Sequence, residues 1–388
     1  MTPRERVRAA LNHEEADRVP IDLGGSCVTT IAASTYAGLR HYLGLPAREV
    51  RIADTAMGLA WVDEDAREAL GVDVVPLGAN PGQRYQPVLR EEPGGSWSFL
   101  DQFGAVLRRP PGCEYFEWTE FPLSEPSLAA LDRMSWPDVE DPALYAGLRE
   151  RALQLRNETD YAIFGTAPHG HDLFNQLLRV RGMAAGLSDL LLAPEFCQAF
   201  FERLTATILR AQELFLNEVG DLLDVHFTAD DLCGQLGPFI SPALYRSLIK
   251  PHWARIIALI KSKTRAKVFY HSCGATAEFL PDLIEIGVDI LNPVQVSAAG
   301  MDTAHLKREY GKYLTFWGGA CDTQRVLPFG TPDEVRAETR RRLRDLAPGG
   351  GFVFNPVHNL QPGTPPENVA AMFAVARDYG SYPSAGRE

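Results

Sequence analysis

No two of the six cysteines, Cys27, Cys113, Cys197, Cys233, Cys273 and Cys321, are spaced as Cys-x-x-Cys, and they follow no regular interval. That excludes a disulfide framework as the organising device and points to a reducing cytoplasm. No apolar run approaches the about 20 residues that a membrane span requires. The opening stretch MTPRERVRAALNHEEADRVP is too charged for a secretory signal. Positive charge is in deficit, with 38 Lys and Arg against 50 Asp and Glu and a net charge of -12. A nucleic-acid backbone or an anionic membrane is therefore not the expected main partner. No Gly-x-Gly-x-x-Gly follows the first apolar run, which argues against a dinucleotide-binding open sheet. Internal repeats and low-complexity segments are also missing.

What the 388 residues do contain is a large apolar fraction, 45%, with 23% charged residues, as a globular domain with a sizeable core requires. Eight short runs rich in Val, Ile, Leu and Phe occur at 19–23, 72–77, 161–164, 222–228, 267–270, 288–291, 314–317 and 352–354. They are apolar throughout rather than alternating, the pattern of strands covered on both faces. Helical periodicity fills the gaps at 242–262, 276–286, 303–310 and 332–346. Three Thr-Pro-x-Glu boxes, at residues 2–5, 331–334 and 364–367, mark helix starts. Eight buried strands with helices between them predict a TIM (β/α)8 barrel, with a doubly wound open sheet as the structural rival. A single domain over 1–388 is expected. The rhythm breaks at 80–157, read as an insertion after the second strand, either a lid or partner surface or a packed decorative loop. Within it SWSFLDQFGAVLRR, 96–109, predicts a hairpin.

In such a barrel the chemistry gathers at the C-terminal ends of the strands. Here those ends are polar or glycine-rich almost without exception. The first carries Gly24-Gly25-Ser26-Cys27, and the third leads to His169, His171 and Asp172. The fourth contains His226 and leads to Asp230, Asp231 and Cys233. The fifth ends His271-Ser272-Cys273-Gly274, the sixth Asn292-Pro293-Val294-Gln295, the seventh Gly318-Gly319-Ala320-Cys321, and the eighth Asn355-Pro356-Val357-His358-Asn359. Residues two apart in a strand face the same side, so an imidazole at 271 and a thiol at 273 make half of a soft metal site. His358 and Cys321 are both candidates for a third ligand. Asp231 and His271 are the candidate catalytic groups, and His169, Asp230, Gln295 and Cys321 the candidate substrate contacts. One of Asp230 and Asp231 is expected to be an N-cap instead. For Cys197 and Cys233 a buried apolar role is expected, and His13, His41, His252 and His305 read as surface residues.

HSCG at 271–274, GVDILNPVQ at 287–295, FWGG at 316–319 and PVHNLQPGTPPEN at 356–368 resemble the uroporphyrinogen decarboxylase superfamily, and RERVRAAL at 4–11 resembles its opening helix. The resemblance implies a single barrel and two branches of chemistry. One branch decarboxylates uroporphyrinogen and carries an arginine-bearing stretch after the first strand. Here that stretch is VPIDLGGSC, 19–27, which has no arginine. The other branch comprises cobamide-dependent methyltransferases, which hold zinc on a His-x-Cys pair and a Cys after the eighth strand. His271 and Cys273 match the pair, and His358 stands at the third position. The resemblance thus implies a zinc-dependent methyl transfer between a small molecule and a corrinoid, with decarboxylation of a cyclic or small carboxylic acid as the alternative. The Asp-x-His-x-x-Gly pattern of a corrinoid-binding domain is missing, so a cobalamin is expected on a partner protein. A homodimer is left open.

Overall fold

The computed structural model describes residues 1–169 and 171–382. Seven parallel strands form one curled sheet, in the order Phe352–Val353, Thr315–Trp317, Ile290–Asn292, Lys267–His271, Val225–Ala229, Ala162–Thr166 and Val74–Gly78. The eighth position belongs to residues 19–23, expected as a full strand. They pair through a single parallel bridge, Ile21 to Phe354. Asp22 N donates to Phe354 O at 2.8 Å on one side, and Asp73 N donates to Ile21 O at 2.7 Å on the other, so the circle closes. Pro20 supplies no N–H, and Gly24 at φ +93° turns the chain away, which leaves too little ladder for a regular strand. The architecture is the α/β barrel that the alternation of apolar runs predicts.

Most observed strands start later or extend further than the apolar runs do. The reason lies at the N-terminal rim. Asp73, Asp224 and Asp289 each precede a strand, and each carboxylate accepts the backbone N–H of a neighbouring stave. Asp73 takes Ile21 N at 2.8 Å, Asp224 takes Ile163 N at 2.9 Å and Asp289 takes Val268 N at 2.8 Å. Cations neutralise them there: Arg6 and Arg18 at Asp73, Arg8 and Arg156 at Asp224, Lys261 at Asp289. These are buried or half-buried charges satisfied by both ion pairs and hydrogen bonds, the condition under which such charges are tolerated.

Inside the barrel the alternation expected of a sheet is plain. Val74, Phe164, Phe227, Phe269, Ile290, Trp317 and Val353 point inward together with Val7, Ala10 and Leu11 of the opening helix, Pro3–Leu11, which plugs the bottom. Phe164, Phe227, Phe269 and Trp317 make one aromatic layer, with Phe269 4.9 Å from Phe164 and 5.6 Å from Trp317 between ring centroids. His271, two residues beyond Phe269 on the same face, stands directly above that layer.

The capping boxes form at Thr2 and Thr331. The third does not: the helix Pro366–Tyr379 starts one residue later, with Pro365 in place of Thr364 as its N-cap, and Thr364 spends its hydroxyl on Gln361 O at 2.8 Å. The predicted hairpin is present, with Trp97–Leu100 paired to Val106–Arg109. It belongs to a four-stranded antiparallel sheet with Arg90–Glu91 and Glu117–Glu120. The helix Leu148–Glu158, counted in the 80–157 segment, leads into the Ala162–Thr166 strand as one of the barrel's own helices. No helix among the described residues is long and apolar enough to cross a membrane.

A candidate metal centre at the barrel mouth

The strand Lys267–His271 delivers His271, and the turn after it delivers Cys273, with His271 Nε2 3.4 Å from Cys273 Sγ. His358 comes from the loop after Phe352–Val353. Its ring centroid lies 5.2 Å from that of His271. One ligand atom from each of the three lies within 4.8 Å of the others. Tetrahedral zinc with bonds of about 2.0–2.3 Å sets its donors roughly 3.3–3.6 Å apart. The His271–Cys273 pair is already at that spacing, and the third donor needs a small side-chain rotation. The donor set therefore fits a zinc site of two imidazoles and one thiolate with a coordination position to spare.

The surroundings orient these donors. Asn292 Oδ1 accepts from His271 Nδ1 at 2.5 Å, and its Nδ2 donates to Trp317 O at 2.8 Å. The second bond fixes which way the amide points, so the proton of His271 sits on Nδ1 and the lone pair of Nε2 faces Cys273. Trp317 is held in turn by Asp22, whose Oδ2 accepts Trp317 Nε1 at 2.9 Å. Burial pushes the Asp22 carboxyl up to about 6.

The loop at 271–274 tolerates no other residue at its end. Gly274 adopts φ +89°, and a Cβ there would lie 2.5 Å from Gly234 O. Its N–H donates to Gln295 Oε1 at 2.7 Å, and Cys273 N donates to Asp231 Oδ1 at 2.6 Å. The His358 loop is braced by two asparagines. Asn355 Nδ2 donates to Asp22 O at 3.0 Å. Asn359 accepts from Thr30 N at 2.9 Å and donates to Cys27 O at 2.8 Å. Burial drives the His358 imidazole down to about 3, which keeps it neutral and ligand-ready. Burial and the Asp231 carboxylate hold the Cys273 thiol well above its usual range, a sign that a bound divalent cation reverses.

The candidate residues divide clearly. Asp231 Oδ1 lies 3.7 Å from His271 Nε2, beside the triad. His169, at φ +49°, lines the mouth, and burial lowers it to about 4. Asp230 is not brought to the mouth. It is fully buried and accepts from Phe174 N, Asn175 N and Trp253 Nε1 at 2.9–3.0 Å, which makes it the remote cap of the helix Phe174–Arg181. Burial pushes its carboxyl up to about 7. Cys321 is also turned away: it is fully buried in the outer core and burial raises its thiol, because Gly318 at φ +100° and Gly319 at φ +84° redirect the chain after Trp317. Gln295 commits its carbonyl oxygen to Gly274 and supports the loop. His226 faces outward to Gln212, 2.6 Å away, since Val225 and Phe227 take the inward positions. His252, read as a surface residue, is buried against Thr205 Oγ1 at 2.9 Å. Cys197 and Cys233 lie in the core.

Two contributors escape sequence reading. Asn292 looks like an ordinary Asn-Pro turn former. Arg179 sits in the last turn of the helix Phe174–Arg181 with no motif, yet its Nη1 pairs with Asp172 Oδ2 at 2.6 Å and its guanidinium lies 4.7 Å from the Trp118 ring of the inserted sheet. Burial alone would raise Asp172, but Arg179 and His171 hold its carboxyl below the ordinary value.

The family model for uroporphyrinogen decarboxylase matches residues 125–379. The chain belongs to the uroporphyrinogen decarboxylase family. Within the family, it is 30% identical to the uroporphyrinogen decarboxylase of Thermus thermophilus over 207 residues, 52% of this chain and 53% of that one. It is 31% identical to that of Parasynechococcus marenigrum over 144 residues, 37% of this chain and 38% of that one. These matches span about half or less of the length of the curated relatives. A solved methyltransferase from Methanosarcina mazei superposes with a TM-score of 0.62 at 19% identity, covering 98% of this chain and 99% of that one. That likeness establishes the shared fold.

Proposed function

We propose that the protein is a zinc-dependent methyltransferase, which moves a methyl group between a small molecule and a corrinoid carried by a partner protein. The observation that carries this reading is the meeting of His271, Cys273 and His358 within 4.8 Å in the barrel mouth. Bound there, zinc supplies Lewis acidity toward an oxygen or sulfur of the substrate. The chain's own groups do the rest. Asn292 fixes the His271 tautomer, Gln295 and Asp231 hold the backbone of the 271–274 turn, and the Asp231 carboxylate stands ready to take or return a proton beside His271.

Decarboxylation is the second reading, supported by the family and by the names of the curated relatives. Against uroporphyrinogen itself stands the wall of the mouth. Among the described residues, Arg179 is the one guanidinium lining the cavity that His169 and His171 share, and Asp172 already neutralises it; Arg84 in the adjoining cavity is paired with Asp138. A substrate with many carboxylates needs more cations than that. Metal analysis of the purified protein is the deciding experiment, coupled with methyl transfer to or from cobalamin and with uroporphyrinogen turnover. About one zinc per chain with zinc-dependent methyl transfer supports the proposal. A protein that holds no zinc and consumes uroporphyrinogen overturns it.

A further inference from the structure

Between the loop that follows the Ala162–Thr166 strand and the inserted sheet lies a cavity of about 230 Å³. The insertion contributes Tyr85, Phe103 and Trp118 to its wall, three aromatic side chains on one small space. The barrel contributes Gln176 and His171. Gln176 is 6% exposed, and among the described residues its Nε2 has no acceptor; Nδ1 of His171 is likewise buried without a partner among them. A buried donor left unpaired costs about 1–3 kcal/mol, so such a group is expected to meet a ligand atom. The His171 ring lies 5.3 Å from that of Phe227, in the aromatic layer beneath His271, which places this cavity over the same barrel end as the candidate metal centre.

Arg179 and Asp172 in the wall are already matched to each other. Arg179 is bound to Asp172 at 2.6 Å and stacked on Trp118 at 4.7 Å. Asp101 is spent within the insertion, on Phe103 N at 2.9 Å, Ala105 N at 2.8 Å and Trp118 Nε1 at 3.4 Å. His169 and His171 are held neutral by burial. A cationic ligand meets Arg179 and an anionic one meets Asp172 and Asp101, while the Asp101 oxygens are taken by those three N–H donors and burial raises its carboxyl, which weakens it as a counter-charge. The volume suits one ring.

We propose that this cavity binds a compact, uncharged, single-ring aromatic molecule, stacked among Tyr85, Phe103 and Trp118 and accepting a hydrogen bond from Gln176 Nε2 through a ring-borne oxygen. The inserted sheet is then the specificity element of the mouth. The proposal rests on the reading of the mouth as the reaction chamber, and it names the substrate class for it.

Four probes differing in one feature test it by calorimetric titration of the full-length zinc-loaded protein: 2-methoxyphenol, 2-methoxybenzoate, 2-methoxybenzylamine and 2-methoxyethanol. The neutral ring is expected to bind roughly tenfold or more tightly than the anionic, cationic or ringless probe. Gln176→Leu and Trp118→Ala are each expected to weaken 2-methoxyphenol about fivefold or more, with Trp118→Phe retaining most of the affinity. Circular dichroism establishes that each variant is folded. The proposal is overturned if the benzoate or benzylamine binds as tightly, if the wild type does not bind 2-methoxyphenol, or if folded Gln176→Leu and Trp118→Ala bind like wild type. Wild-type protein that takes no zinc yet binds 2-methoxyphenol selectively overturns the metal reading and leaves the pocket standing.

Discussion

Asn292 Oδ1 lies 2.5 Å from Nδ1 of His271, while the Nδ2 of the same amide donates to Trp317 O at 2.8 Å. The two bonds together select one imidazole tautomer and aim its free nitrogen at Cys273. Replacing Asn292 with Ala should weaken zinc binding about 10–100-fold while leaving the three donors in place, as loss of an outer-shell partner typically does. Competition with a chromophoric chelator reads the affinity. Unchanged affinity in a folded Asn292→Ala protein would remove Asn292 from the site.

His271→Ala, Cys273→Ala and His358→Ala should each reduce bound zinc from about one per chain toward zero and abolish methyl transfer. Cys321→Ala should retain zinc, because that thiol is enclosed in the outer core. The barrel should remain folded in all four, since its aromatic layer and rim aspartates lie elsewhere. Metal content after dialysis, read beside far-ultraviolet circular dichroism, checks this. Loss of zinc in Cys321→Ala with retention in His358→Ala would reassign the third ligand.

Zinc binding should release protons. Burial and Asp231 hold the Cys273 thiol above its usual range, while His358, lowered to about 3, is already neutral at pH 7. About one proton per zinc is therefore expected near neutrality, with affinity rising about tenfold per pH unit. Indicator-dye release on titration with zinc provides the count, and a value near zero would exclude thiolate ligation.

Asp230→Ala should destabilise the fold without affecting zinc stoichiometry. It strips the acceptor from the buried Phe174 N and Trp253 Nε1 and from the half-buried Asn175 N, at a cost of about 3 kcal/mol or more. Asp230→Asn, which keeps one oxygen, should lose less. A variant with wild-type melting behaviour and impaired turnover would return Asp230 to the substrate.

Acid should destabilise the protein partly through His226. Burial lowers this imidazole to about 3, against an ordinary value of 6.5. Between those values the unfolded chain binds the proton and the folded one does not, so stability is full above about 6.5 and is lost as pH falls toward 3. Denaturant midpoints of wild type and His226→Phe across that window should converge as pH falls. Parallel curves would show that His226 does not carry the effect.

Much of this was written in local sequence. Eight apolar runs with helices between them specify a closed α/β barrel, because strands covered on both faces need no polar alternation and the sequence period is visible within one element. The hairpin at 96–109 and the Thr2 and Thr331 caps follow from contacts a few residues long. His271 and Cys273 share a side because they are two apart at a strand's exit. Tertiary structure decided everything that depends on who lies across the mouth. Asp230 and Asp231 are adjacent in sequence, yet one is buried beneath a helix 56 residues away while the other stands beside His271. Both Cys321 and His358 are soft ligands by residue type, the family resemblance favours His358, and the positive φ of Gly318 and Gly319 turns Cys321 outward. Asn292 gave no local signal, since its partner His271 is 21 residues away, and Arg179 gave none of its contact with Trp118 on the inserted sheet. Spacing along a chain fixes which face a side chain leaves from; only closure of the barrel fixes what it meets there.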